Sequence, residues 1–258
     1  METTNYPTYP DLAGKVAVVT GGSRGIGAAT CRLLAQNGAK VTVSGRDEAA
    51  INSMVEEIRG SQGEAIGVAA DLTDFSAAEL MRRRMEEELG PVEVLAAFAG
   101  GQGYPTPTEQ MPEEQWRSVI DSDLTTTFLT VRSFLPGMIE RGRGSIVTMA
   151  SSAGRLPSQA SAAYAAAKAG VVMFSKHVAN EVGQHGVRIN CLAPSSILTE
   201  RVKRLMPEET QRQVAAMHPL GRMGMPEDVA LATLFLASES SSWITGVTLD
   251  VAGGRIIV

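Results

Sequence analysis

Residues 16–27 read Val16-Ala17-Val18-Val19-Thr20-Gly21-Gly22-Ser23-Arg24-Gly25-Ile26-Gly27, and the chain runs on through Ala28-Ala29-Thr30-Cys31-Arg32-Leu33-Leu34. A β-branched apolar run, a glycine-rich turn and a helix-period stretch form, in that order, a strand, a tight loop and a helix. Glycines there let the backbone approach a pyrophosphate at the positive end of a helix. A lone glycine cluster is also what an ordinary strand-to-helix turn needs, but its placement in strand, loop and helix favours a dinucleotide.

The rest of the chain repeats that alternation. Strand-like runs recur at Val41–Val43, Ala65–Ala69, Val94–Phe98, Ile146–Met149, Val187–Leu192 and Thr248–Val251, with helix-period segments between them. Their lack of strict polar alternation suits strands covered on both faces, and parallel pairing demands the helical crossovers. The expected fold is therefore α/β: one Rossmann-type, doubly wound sheet of about seven parallel strands with helices on both faces. Ser76 with Glu79 fits a capping box, and Pro112 and Pro226 each precede acidic residues at a first helical turn. Residues 1–12 read as a loose arm and 13–258 as the catalytic domain. Residues 195–218, an insertion after the sixth strand, read either as a substrate lid at the carboxyl edge of the sheet or as a surface helix of mixed charge.

A hydrophobic content of 44% with 20% charged residues excludes a disordered chain. A net charge of -5 without a long basic run gives no footprint for nucleic acid or an anionic membrane, so a small-molecule substrate is expected. The first fifteen residues lack the basic start and apolar stretch of a signal peptide, which makes the cytoplasm the expected location. Cys31 and Cys191 lack metal-ligand spacing and read as buried thiols; no metal is expected.

An acid at the end of the second strand would accept from the ribose 2′-hydroxyl of NAD, whereas the 2′-phosphate of NADP wants cations. Here that strand ends Val43-Ser44-Gly45-Arg46, and Arg24 in the glycine loop is a second cation. Either arginine alone could be a solvated charge; together they favour NADP. Asp71, after the third strand, suits the adenine edge or a helix cap.

Tyr164 and Lys168 stand four apart in the alanine-rich helix-forming stretch Ser161–Gly170 and so share a face. An ammonium near a tyrosine favours the phenolate form that acid/base work requires, though such pairs also arise by chance. At this point the chain resembles the short-chain dehydrogenase/reductase family from Leu12 to Gly254. Thr20–Gly27 looks like its cofactor loop, Tyr164 with Lys168 like its Tyr-x-x-x-Lys, and Ser151 in Met149-Ala150-Ser151-Ser152-Ala153-Gly154 like its serine, in better register than Ser152. The resemblance implies an oxidoreductase, similar to 3-oxoacyl carrier-protein reductases, in which a hydride passes between nicotinamide and carbonyl. Tyr164 would exchange the proton, Ser151 would bond the oxygen, and Lys168 would hold the nicotinamide ribose. It implies cofactor contacts at Gly21, Ser23, Arg24, Ile26, Arg46, Asp71, Leu72, Ala99, Tyr164, Lys168, Ile197 and Thr199, and a homotetramer or homodimer packed through the helices around 116–138 and 162–182. Gln102, Tyr104, Pro157 and 198–217 are expected to shape the pocket.

The chain also departs from the family pattern. Asn-Asn-Ala-Gly reads Ala97-Phe98-Ala99-Gly100; the relay asparagine corresponds to Asp123; Pro-Gly reads Pro194-Ser195, which makes any positive φ there costlier; and the acid before Gly-Gly is Ala252. The carrier-docking arginines correspond to Leu129 and Asn180, which points to a free ketone or alcohol in place of a carrier-bound one. A dinucleotide-binding protein without turnover and an imine-directed enzyme are the competing expectations.

Overall fold

The run at residues 16–20 is buried at every position in β1 (Val16–Thr20), as a strand covered on both faces must be. In the computed structural model, which describes residues 6–101 and 103–256, six more strands extend it: β2 (Lys40–Gly45), β3 (Glu64–Ala69), β4 (Val92–Ala97), β5 (Gly144–Met149), β6 (Val187–Pro194) and β7 (Thr248–Val251). Every neighbouring pair is parallel, in the spatial order β3-β2-β1-β4-β5-β6-β7. The order reverses between β1 and β4, so the loops leaving those two strands part and open a crevice at the carboxyl edge. All the expected strands are present. β4 stops at Ala97 because the Phe98 amide turns out of the ladder to donate to the Thr20 hydroxyl at 2.9 Å.

The helices are α1 (Gly25–Gln36), α2 (Glu48–Gly60), α3 (Phe75–Leu89), α4 (Glu113–Ile120), α5 (Thr126–Arg141), α6 (Ala162–Val182), α7 (Glu200–Leu205), α8 (Glu208–Ala216) and α9 (Pro226–Ala237). One core joins Leu34 of α1, Ile51 of α2 and Leu234 of α9 to Val19, Val41 and Val43. The other joins Met81 and Met85 of α3, Phe134 and Met138 of α5 and Val178 of α6 to Leu95, Ile146 and Ile189. Helices thus cover both faces, and each large side chain buried this way contributes ~1.5–3 kcal/mol relative to exposure.

Two local expectations are corrected. The Ser76–Glu79 capping box does not form: Asp74 lies two residues earlier and its carboxylate caps α3 by accepting the Ser76 amide, while Glu79 pairs with Arg82. An aspartate caps as well as a serine, so the helix takes the earlier start. Nor are residues 6–12 a loose arm. Leu12 is fully buried, Tyr6 and Tyr9 pack on the first core, and the Tyr9 amide donates to Asn37. Both cysteines are buried, which pushes their thiols up. Among the described residues no helix is long and apolar enough to cross a membrane.

At the start of α9, Asp228 accepts the Met225 amide at 2.7 Å and two bonds from Arg222. The Arg222 guanidinium holds its carboxyl below the usual range. A carboxyl lowered in the folded state stabilises above its unfolded pKa, and that contribution is lost as pH falls through the folded value. Because both side chains are partly exposed, Asp228→Asn is expected to cost only about 1 kcal/mol. Urea unfolding at neutral pH and near pH 3 checks this: the difference from the parent should shrink in acid.

Candidate active site

The glycine turn after β1 is built for close approach. Gly21 has φ +66°, and a Cβ on Gly27 would lie 2.1 Å from the Gly21 carbonyl oxygen, so α1 enters directly against the turn. No side chain caps α1, which leaves its first amides facing the crevice as an anion cradle. The Thr20 hydroxyl accepts from both Phe98 and Ala99 amides, tying β1 to the segment after β4. Here Ala97-Phe98 replaces the two asparagines with packing: Ala97 is buried, and Phe98 packs with Ile26 against the cluster of Val147, Met149, Leu192 and Ile197. Thr199 closes the loop from the far side, its methyl 3.2 Å from where a Gly25 Cβ would stand.

At the tip of β2, Gly45 faces Ser23, whose hydroxyl oxygen would lie 3.6 Å from a Cβ there. Arg46 is exposed beside them. Arg24 is already engaged in an ion pair with Asp47, whose carboxylate also caps α2. Both contacts, the Ala50 amide foremost, hold the Asp47 carboxyl below its usual range. Asp71 is exposed and accepts from the amide and hydroxyl of Thr73, so it closes a turn and does not cap α3. Leu72 beside it is buried.

Lys168 lies in α6 against the end of β5. Only 2% exposed, its ammonium donates to the Met149 carbonyl at 3.0 Å and pairs with Asp123 at 3.0 Å. Asp123 reaches that place because residues Asp121–Thr125 form a π-turn between α4 and α5, closed by the Thr126 amide on Asp121 O. Asp123 also accepts the Gly101 amide and the Ser122 hydroxyl. Gly100 is obligatory there: with φ +130°, a Cβ would stand 2.6 Å from Asp123 Oδ1. Thus the aspartate bonds Lys168 directly and pins the backbone after β4.

Tyr164 is half-buried one turn before Lys168, whose Nζ lies 5.6 Å from the phenol ring centre. Ser161 caps the helix by accepting the Tyr164 amide. Ser151 follows Met149 at the end of β5, where its oxygen accepts the Ala153 amide and its O–H remains as a donor. The turn carrying Ser151 is pressed on α6, since a Cβ on Gly154 would come within 2.5 Å of the Lys168 carbonyl carbon. Arg155 then locks the turn to β7 through two bonds to Asp250. Ser151 thus lies on the turn after β5, and Tyr164 and Lys168 on α6, against which that turn is pressed.

A family model described as short chain dehydrogenase matches residues 15–210. The chain belongs to that family. It is an oxidoreductase, and its similarity to other members is end to end. The 3-oxoacyl-acyl-carrier-protein reductase FabG of Vibrio cholerae is 37% identical over 248 residues, covering 96% of this chain and 100% of the relative. Cis-4-hydroxycyclohexanecarboxylate dehydrogenase of Sinomonas cyclohexanicum is 38% identical over 247 residues, covering 96% and 98%. Among solved structures, a short-chain type dehydrogenase/reductase from Mycobacterium marinum superposes with a TM-score of 0.91 at 33% identity, covering 97% and 98% of the two chains.

Other features of this dehydrogenase were not foreseen from its sequence. Ser195 adopts no positive φ: its amide continues β6 to the Val251 carbonyl, so the feared backbone cost does not arise. Its hydroxyl meets His218 Nε2 at 3.0 Å, while Nδ1 meets the Val214 carbonyl at 2.8 Å. The buried imidazole thereby anchors both ends of segment 195–218, within which α7 and α8 stand. Ala252 is buried next to Gly253, which packs on that imidazole. Among the expected pocket residues, Tyr104 is 57% exposed and Gln102 lies outside the described residues.

Proposed function

We propose that this dehydrogenase is an NADPH-dependent ketoreductase or alcohol dehydrogenase acting on a free small-molecule carbonyl, with Tyr164 as its acid/base. The observation that carries the reading is the fixed Lys168 ammonium between Met149 O and Asp123, one turn behind Tyr164 and against the Ser151 turn. Of its three N–H donors the two described contacts use two, which leaves one for a ribose hydroxyl.

The uncapped α1 terminus and the Gly21–Gly27 turn fit a dinucleotide's pyrophosphate, with Ile26, Ala99, Ile197 and Thr199 around the nicotinamide half and Asp71 and Leu72 at the adenine end. NADPH, when bound, supplies a hydride to the carbonyl carbon. The Tyr164 hydroxyl gives its proton to the carbonyl oxygen as that oxygen gains charge, and Ser151 donates a hydrogen bond to the same oxygen. Alcohol oxidation runs the same transfers backwards, with Tyr164 accepting the proton.

The cofactor preference rests on Arg46, which is exposed just past the end of β2 without an acid before it, while Asp47 is committed to α2 and Arg24. Arg46→Gln is expected to weaken NADPH about tenfold and NADH less than about twofold, as the loss of one charge-assisted bond at an exposed site predicts. Titration calorimetry with both dinucleotides is the check; equal losses would remove the basis for the NADP preference.

A free substrate is favoured over a carrier-bound one because the two positions matched to carrier-docking arginines hold no cation: Leu129 is buried in α5 and Asn180 is exposed on α6 but uncharged. The Sinomonas relative, named for a cyclic hydroxy-carboxylate, supports the same direction. Exposed Trp116, Phe128 and Met173 on α4, α5 and α6 fit self-association into a dimer or tetramer, which sedimentation equilibrium would measure.

A further inference from the structure

One cation near the crevice has no part in the reaction just proposed. α7 carries Arg201, Lys203 and Arg204. Lys203 pairs with Glu200 at 3.1 Å. Arg201 instead lies over an aromatic face, its guanidinium carbon 5.1 Å from the centre of the Tyr104 ring. Among the described residues no carboxylate stands within ion-pair distance of it. Exposed Arg84, Arg117 and Arg212 each pair with an acidic neighbour, whereas Arg201, like Arg132 over Phe75, lies over a ring.

The position of this arginine is tied to the reacting group by contact. Tyr104 follows Gly103, which lies on the Tyr164 ring so closely that a Cβ would stand 3.1 Å from Cδ1 and Cε1. Gly103 in turn follows the backbone pinned by Asp123 through Gly101. Arg201 is thus joined to Tyr164 through Tyr104 and its neighbour Gly103. With a ring at its face and no acid paired to it, the Arg201 guanidinium keeps N–H donors of the kind that take a carboxylate through two parallel bonds.

From this we infer that the substrate is an oxo- or hydroxy-carboxylate, bound by its carboxylate on Arg201 while its carbonyl or carbinol oxygen lies at Tyr164. The inference rests on the proposed reaction at Tyr164 for the second of those contacts and on Arg201 with Tyr104 alone for the first.

The test uses the full chain with NADPH and a series of linear and cyclic oxo-carboxylates, each beside its methyl ester, with simple neutral ketones as a third set. Turnover is followed by NADPH oxidation, and binding of the same acids and esters to the NADP complex by calorimetry. At least one acid is expected to exceed its ester by about ten- to hundredfold in kcat/KM or affinity, as one charge-assisted pair is worth. Arg201→Gln should collapse that ratio to within about threefold while leaving the ester and NADPH unchanged, and Arg201→Lys should restore part of it.

Neutral compounds that match or outdo the acids throughout would overturn the inference while leaving carbonyl reduction intact. A loss of NADPH affinity in Arg201→Gln would also overturn it, by assigning the guanidinium to the dinucleotide phosphates. If acids bind through Arg201 but nothing turns over, the anion site stands and the reaction proposed at Tyr164 fails. If no carboxylate either binds or reacts, the inference falls.

Discussion

Tyr164→Phe is expected to lower kcat by about 10²–10⁴-fold for every carbonyl the parent reduces, the range that a positioned general acid contributes, while the affinity for NADPH stays within about twofold. The ring would survive the change: it packs under Gly103, and the bond from its amide to Ser161 is a backbone one, so the substitution removes the O–H and little else. Steady-state kinetics with calorimetry for the dinucleotide separates the two quantities. A mutant that keeps more than about a tenth of the parent turnover would assign the proton to another group, with Ser151 the next in place.

The second large effect concerns stability as well as rate. Lys168→Met leaves the Asp123 carboxylate, fully buried in the parent, without its counter-charge. Removing one member of a buried pair costs about 3–5 kcal/mol, chiefly because the survivor remains desolvated. The amide of Gly101 and the hydroxyl of Ser122 still reach Asp123, which places the expectation at the lower end. Adding Asp123→Asn to Lys168→Met should then recover more than half of the loss, since the remaining group no longer carries charge. Urea unfolding of the parent, both single variants and the double variant gives the coupling. If the double variant is no more stable than Lys168→Met, the pair is not an electrostatic unit. Activity is expected to be lost in Lys168→Met whatever the stability, because the donor for the ribose is gone.

What could be read without coordinates was local or periodic. The seven strands and the loop at residues 20–27 follow from patterns a few residues long, and the Tyr164–Lys168 spacing fixes one helix face whatever lies around it. The readings that failed turned on competition between near neighbours: Asp74 displaced Ser76 as the cap of α3, and Tyr6, Tyr9 and Leu12 found core surface that no pattern in residues 1–12 reveals. Departures from the family pattern could be located but not interpreted. Asp123 acquires its meaning only from the π-turn that carries it to Lys168, and Ser195 only from an imidazole far along the chain at residue 218. Arg155 with Asp250 and Arg201 with Tyr104 likewise join distant segments. Such pairs are set by sheet register and loop course, for which a single sequence carries no local signal. Arg24, read as a cation for the cofactor, turned out to share its charge with Asp47, and this shifts the expected weight of NADP recognition onto Arg46.

In the proposed reaction a hydride moves directly between nicotinamide and a carbonyl carbon while Tyr164 supplies the proton. Incubating the purified chain with NADPH deuterated at the transferable C4 position and a ketone it reduces, then reading the alcohol by mass spectrometry and NMR, tests this most directly. One deuterium is expected on the carbinol carbon, none acquired from solvent there, and no labelled alcohol from Tyr164→Phe over the same time. A product whose carbinol hydrogen came from water, or equal label from Tyr164→Phe, would contradict it.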